Sequence, residues 1–143
     1  MATVYTMVGL PGAGKSTYVN MHKNTCKVVC PDEIRAELYG DSAIQGDGKK
    51  VFNIAFAQIN EAVKNGKDVI FDATNITKKA RKTIMNRVPN VCHVAIFINT
   101  SIEECKARNQ QRVRHVPEIV IDNMANKMSI PTAAEGFVKV EIF

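Results

Sequence analysis

Eight residues near the start of the chain, Gly9-Leu10-Pro11-Gly12-Ala13-Gly14-Lys15-Ser16, follow the spacing G-x-x-x-x-G-K-S/T. Glycines at these places let successive backbone N–H groups turn toward an anion, and a helix beginning at the lysine adds the positive end of its dipole. The pattern predicts a phosphate cradle. Lys15 would reach the β- and γ-phosphates of a nucleoside triphosphate, and the Ser16 hydroxyl would ligate Mg²⁺. Gly9, Pro11, Gly12, Ala13, Gly14, Lys15, Ser16 and Thr17 are the expected nucleotide-binding residues. An ordinary glycine-rich turn would leave every fixed position, and the strand and helix on either side, as coincidence.

Other residues carry chemistry with a plainer alternative beside each. Asp32 follows a short apolar run, where a carboxylate can take a proton from an attacking hydroxyl, and Arg35, one turn on, can clamp an acceptor phosphate. A helix N-terminal acid with a solvated neighbour explains the same two residues. Asp72 ends an apolar strand, a position suited to holding Mg²⁺ directly or through water. Thr74, Asn75 and Thr77 after it also suit turns and caps. Arg108 and Arg112 are four apart, so a helix would put both on one face as a lid over the donor phosphates, with a solvated basic helix end as the competing reading. His22, His93 and His115 lack metal-ligand spacing and receive no catalytic role.

The elements that must position these groups can be read from periodicity. Strands are expected over residues 3–9, 27–30, 68–72, 91–98 and 137–142. Helices are expected from Lys15 to about His22, from Pro31, over 47–65, from a Thr77 cap to Arg87, from a Ser101 cap, and from Pro117 to about Met128, where Ile121, Met124 and Met128 form a core stripe. Alternation of strand and helix implies a parallel sheet flanked by helices, with ligands at the carboxyl ends of the strands. Asp32 would then stand beside the strand that feeds the cradle.

The chain has 143 residues, 45% apolar and 23% charged, which suits a single domain over 1–143 and excludes disordered or low-complexity classes. No apolar run is long enough to cross a bilayer and the first residues lack signal-peptide features, so a cytoplasmic protein is expected. Cys26, Cys30, Cys92 and Cys105 fit no zinc spacing and read as buried free thiols, with disulfides second. The net charge of +5 is concentrated in two clusters, one with Lys78, Lys79, Arg81, Lys82 and Arg87, the other with Arg108, Arg112, Arg114 and His115. Solvated helix faces and a surface for polyanions account for them equally well.

These residues resemble the 5′-kinase domain of bacteriophage polynucleotide kinase and related small P-loop kinases. The resemblance runs through the cradle, Asp32-x-x-Arg35, Ala73-Thr74-Asn75, Arg108-Asn109-x-x-Arg112 with Val116-Pro117, and a helix ending in Asn126-Lys127-Met128. It implies an α/β P-loop kinase fold, a five-stranded parallel sheet with a helical lid closing over ATP. It implies transfer from ATP, with Mg²⁺, to the 5′-hydroxyl of a DNA or RNA end. Carried over residue by residue, Asp32 becomes the general base, Arg35 the acceptor-phosphate ligand and Arg112 the lid arginine, joining Lys15 as catalytic residues. Pro131-x-x-x-Glu135-Gly136-Phe137 is similar to the tail of stand-alone relatives, which would lie near the adenine. The cradle and lid are shared with kinases of nucleosides, sugars and antibiotics, and a nucleotide-binding ATPase switch is the third alternative. Nucleic-acid 5′ ends are the expected partners, with neither a membrane nor a stable protein partner inferred.

Overall fold

A computed structural model describes residues 1–41, 46–113 and 115–143. The elements are β1 (Thr3–Val8), α1 (Lys15–His22), β2 (Lys27–Val29), α2 (Pro31–Tyr39), α3 (Gly48–Lys64), β3 (Val69–Phe71), α4 (Lys78–Arg87), β4 (Cys92–Phe97), α5 (Ile102–Gln110), α6 (Glu118–Lys127) and β5 (Lys139–Ile142), with a 3-10 turn at Ala133–Glu135. All five strands pair in parallel, in the order β2-β3-β1-β4-β5.

Local chemistry sets the helix starts. Pro31 opens α2, the Thr77 hydroxyl accepts from the Ala80 amide at the start of α4, and Ser101 does the same for the Glu104 amide at α5. Each cap satisfies an amide that has no partner within its own helix. The α3 stripe Val51, Ala55, Ile59 and Ala62 is buried against Val4, Val69 and Phe71 of the sheet. Burial of that kind contributes roughly 1.5–3 kcal/mol for each large side chain. On the opposite face Met7, Ile70, Val94 and Ile96 pack against Val19 of α1. A third cluster of Leu10, Ala13, Ile76, Cys105 and Ile121, with Met124 and Met128, joins the cradle to α5 and α6.

One expectation of sheet winding fails. β2 does not lie beside β1, because β3 sits between them. The cause is visible in the strands themselves: all three residues of Val69–Phe71 are buried, whereas Lys27–Val29 begins with an exposed lysine and tolerates an edge. Asp32 therefore follows the edge strand, and Asp72 follows the strand that separates it from the cradle. The cysteines are free thiols, but only Cys105 is fully buried and the other three are half-buried. Among the described residues no helix is long and apolar enough to cross a membrane.

Candidate active site

The loop between β1 and α1 turns through two glycines in the left-handed region, Gly12 at φ 81° and Gly14 at φ 104°. A side chain at either place would meet a neighbour from α5. A Cβ on Gly12 would strike the Cys105 carbonyl, and one on Gly14 would lie 2.8 Å from an Arg108 guanidinium nitrogen. The loop is fastened from three sides. The Ala13 carbonyl accepts from the Thr100 hydroxyl at 2.6 Å and from Arg108 at 3.1 Å. The Gly9 amide donates to the Thr74 carbonyl at 3.0 Å, and the Asn75 side chain donates to the Met7 carbonyl at 2.8 Å. Asn75 itself has φ 46°, a conformation asparagine tolerates better than most residues.

The Lys15 ammonium donates to the carbonyls of Gly9 and Leu10, both at 2.9 Å. Burial lowers its pKa to about 8, assisted by Arg112, while Asp72, Cys105 and Asp32 pull in the opposite direction. Asp72, Asp32 and Arg112 thus all act on the charge of Lys15. Asp72 is held above the usual carboxylate range, first by burial and then by Asp32 and Glu33, with Lys15 opposing. Burial also raises the Cys30 thiol to about 11, leaving it protonated and unreactive at neutral pH.

Asp32 and Arg35 form an ion pair at 2.8 Å across one helical turn, with the Asp32 side chain 62% exposed and that of Arg35 only 13%. Arg35 is thus no solvated neighbour. Its guanidinium carbon lies 6.0 Å from the Phe52 ring centre, and its Nε is buried without a hydrogen-bond partner. Beside Phe52, between α3 and α4, opens a groove of about 350 Å³ that reaches Thr74 and Asn75.

The lid differs from expectation. Arg108 and Arg112 do not share a helix face, because α5 ends at Gln110 and Arg112 lies in the following turn, its amide donating to the Asn109 carbonyl. Arg114 lies outside the described residues. The turn is closed by Asn109, whose side chain donates to the Val116 carbonyl at 2.7 Å and accepts from the Val116 amide at 3.0 Å. Asn109 and Thr100 are the positioning residues that sequence reasoning assigned no role. Asn109 enters only as a fixed position of the motif Arg108-Asn109-x-x-Arg112 with no role attached, whereas Thr100 stands beside the Ser101 cap. Glu135 pairs with Arg81 and Gly136 packs on Met85, both on α4, and the Val138 amide donates to the carbonyl of His93 at the start of β4. This holds the tail against α4 and the start of β4.

Mg²⁺ binds through one or two protein oxygens and takes phosphate and water for the rest. The Ser16 hydroxyl, exposed in the first turn of α1, and the half-buried Asp72 carboxylate supply a set of that kind. The residues present therefore fit the ion.

A glycine cradle at the carboxyl end of the central strand, a lysine in its helix and acids on the neighbouring strand ends make this a P-loop nucleotide-binding domain. More narrowly, the AAA domain family model AAA_33 matches residues 4–131, and the chain belongs to that family. A bifunctional polynucleotide phosphatase/kinase of Schizosaccharomyces pombe is 27% identical over 96% of this chain and 32% of its own length. An L-seryl-tRNA(Sec) kinase of Methanococcus maripaludis is 28% identical over 87% of this chain and 52% of its own. The chain thus spans about a third to a half of these relatives. Its fold matches a chain of the Pnkp1/Rnl/Hen1 RNA repair complex with a TM-score of 0.79 at 19% identity, covering 88% of this chain and 43% of that one. The fold is that of the P-loop kinases.

Proposed function

We propose that this domain transfers the γ-phosphoryl group of ATP to the 5′-hydroxyl of a DNA or RNA end. The observation that carries the reading is the Asp32–Arg35 pair at the end of β2, its Asp32 charge acting on Asp72 and Lys15 and its Arg35 stacked near Phe52, which lines an open groove. A switch without an acceptor has no use for that groove. Both curated relatives are named for kinase action on nucleic acid or a nucleic-acid-borne residue, which supports this acceptor class.

In the proposed mechanism the amides of Gly12 to Ser16 and the Lys15 ammonium hold the donor phosphates, and Arg112 approaches them from the lid turn. Ser16 and Asp72 would hold Mg²⁺, which when bound would offset charge on the phosphates. Arg35 leaves its ion pair to take the phosphate next to the acceptor sugar. Asp32, freed of its partner, accepts the proton of the 5′-hydroxyl as that oxygen attacks the γ-phosphorus and the bond to the β-phosphate oxygen breaks. Phosphoryl transfer of this type depends on position and electrostatics. Asp32→Asn should therefore slow turnover by about 10²–10⁴-fold while ATP binding stays near wild type. Single-turnover assays on a 5′-hydroxyl oligonucleotide, with nucleotide affinity measured by titration, provide the check. Undiminished turnover in this variant rules out the base assignment.

A second reading, a kinase of a nucleoside, sugar or antibiotic, is supported by the groove volume, which lies near the lower end for small-ligand pockets. It predicts weak salt dependence of acceptor binding, whereas a polynucleotide acceptor should bind less well as salt rises. Competition between an oligonucleotide and a metabolite panel decides between the two.

A further inference from the structure

The groove between α3 and α4 extends well past the residues given a role above. Its α3 wall presents Lys49, Phe52, Asn53 and Phe56, spaced as one helical stripe, and its α4 wall runs from Thr77 to Arg87. At 1.5 Å per residue the α4 wall is about 15 Å long, and with a volume of about 350 Å³ the groove takes in bases while the sugar–phosphate backbone stays outside. It starts at Thr74, beside the cradle, and closes where the Asn60 side chain donates to the Arg87 carbonyl at 3.0 Å.

The lining has a consistent chemistry. Half-buried Phe52, Ala73 and buried Ile76 form an apolar floor, while exposed Lys49 stands at the mouth and exposed Arg87 at the far end. The Arg87 guanidinium is held 4.7 Å from the Phe56 ring centre and donates to the Asn53 side-chain oxygen Oδ1 at 3.2 Å, so its charge is fixed at the groove edge. No acidic residue lines the groove among the described residues, and α4 adds exposed Lys78, Lys79 and Lys82 along its outer face. An apolar floor between basic rims is the arrangement that takes bases inward and phosphates outward along a single strand.

We infer that this groove seats the single strand downstream of the acceptor 5′ end, with phosphates toward Lys49 and Arg87. The inference rests on the polynucleotide kinase reading and adds that the domain measures acceptor length. Lys49→Glu reverses an exposed charge, and Thr83→Trp fills the groove from an exposed position on α4, so neither change disturbs the core.

The test compares three proteins, wild type and the two variants, on a single-stranded 5′-hydroxyl oligothymidylate and on thymidine 3′-monophosphate. Anisotropy of the labelled oligothymidylate is read in parallel. Each variant should raise KM for the oligonucleotide by about tenfold and leave KM for ATP and for the mononucleotide within about twofold. Lys49→Glu should also reduce the salt slope of binding by about one or more. If wild type phosphorylates both acceptors with equal KM, or the variants shift neither KM nor anisotropy, the groove assignment is overturned while the kinase reading stands. Failure of wild type to phosphorylate either acceptor overturns the reading and the groove assignment with it.

Discussion

Arg81 makes five hydrogen bonds from a side chain with no solvent exposure: two to Glu135, two to Ser129 and one to the Asn75 carbonyl. It ties the loop after β3, the end of the α6 segment and the tail to one guanidinium. Burial pushes the Glu135 carboxyl up, but hydrogen bonds from Arg81 and Thr132 outweigh it and hold it below the usual range. That contribution is present above the ordinary carboxylate pKa and is lost as pH falls through the lowered value. Arg81→Met should cost about 3–5 kcal/mol, the usual result of removing one partner of a buried ion pair. Urea denaturation of the variant checks this, and a loss below about 1 kcal/mol, the range of exposed pairs, would remove Arg81 from the framework. Residue type alone grouped Arg81 with the solvated Lys78, Lys79 and Lys82. Only the phase of α4 distinguishes it, since Arg81, Ile84 and Val88 follow one another at i, i+3 and i+7 on the buried side. Its partner lies 54 residues away, a pairing that no local pattern encodes.

At the scale of elements, the cradle and α5 work as one unit. Close approach of the Cys105 carbonyl to Gly12, and of Arg108 to Gly14, fixes where α5 ends, and Asn109 then folds the following turn back onto Val116. Arg112 takes its position from that turn. Asn109→Ala leaves the Val116 amide and carbonyl without their partner, a cost of about 1–3 kcal/mol if water does not replace it. The variant should melt earlier, and its KM for ATP should rise more than its kcat falls, because a loosened Arg112 weakens donor binding first. Unchanged KM with lowered stability would make Asn109 structural only. Helix starts were readable at this scale because caps are local: Thr77 and Ser101 act where the sequence placed them. The end of α5 was not, since Arg108-Asn109-Gln110-Gln111-Arg112 carries no glycine or proline to announce it.

For the molecule as a whole, insertion of β3 between β2 and β1 puts Asp32, Asp72 and Lys15 beyond three successive strand ends, so that the Asp32 charge acts on both Asp72 and Lys15. The five parallel strands were evident from apolar runs and alternation, but their order depended on which strand tolerates an edge. The environment of Lys15 opposes stability to function. Lys15 has a folded pKa of about 8 against 10.5 when free, so the unfolded chain binds more protons between those values and stability from this residue rises with pH across them. Phosphate binding needs the protonated form, which is lost over the same interval. kcat/KM for ATP should therefore fall as pH rises past about 8, while kcat, measured on an enzyme whose lysine is already paired with phosphate, should hold to higher pH. Cys30, raised to about 11 by burial, makes an opposing contribution to stability above about 9. The comparison must therefore be made against Lys15→Met, which lacks only the lysine titration. Wild type should gain stability relative to that variant from about pH 8 toward 10.5 even as its kcat/KM declines. A flat kcat/KM through this interval, or a relative loss of stability, would show that Lys15 is not the buried cation on which the cradle depends.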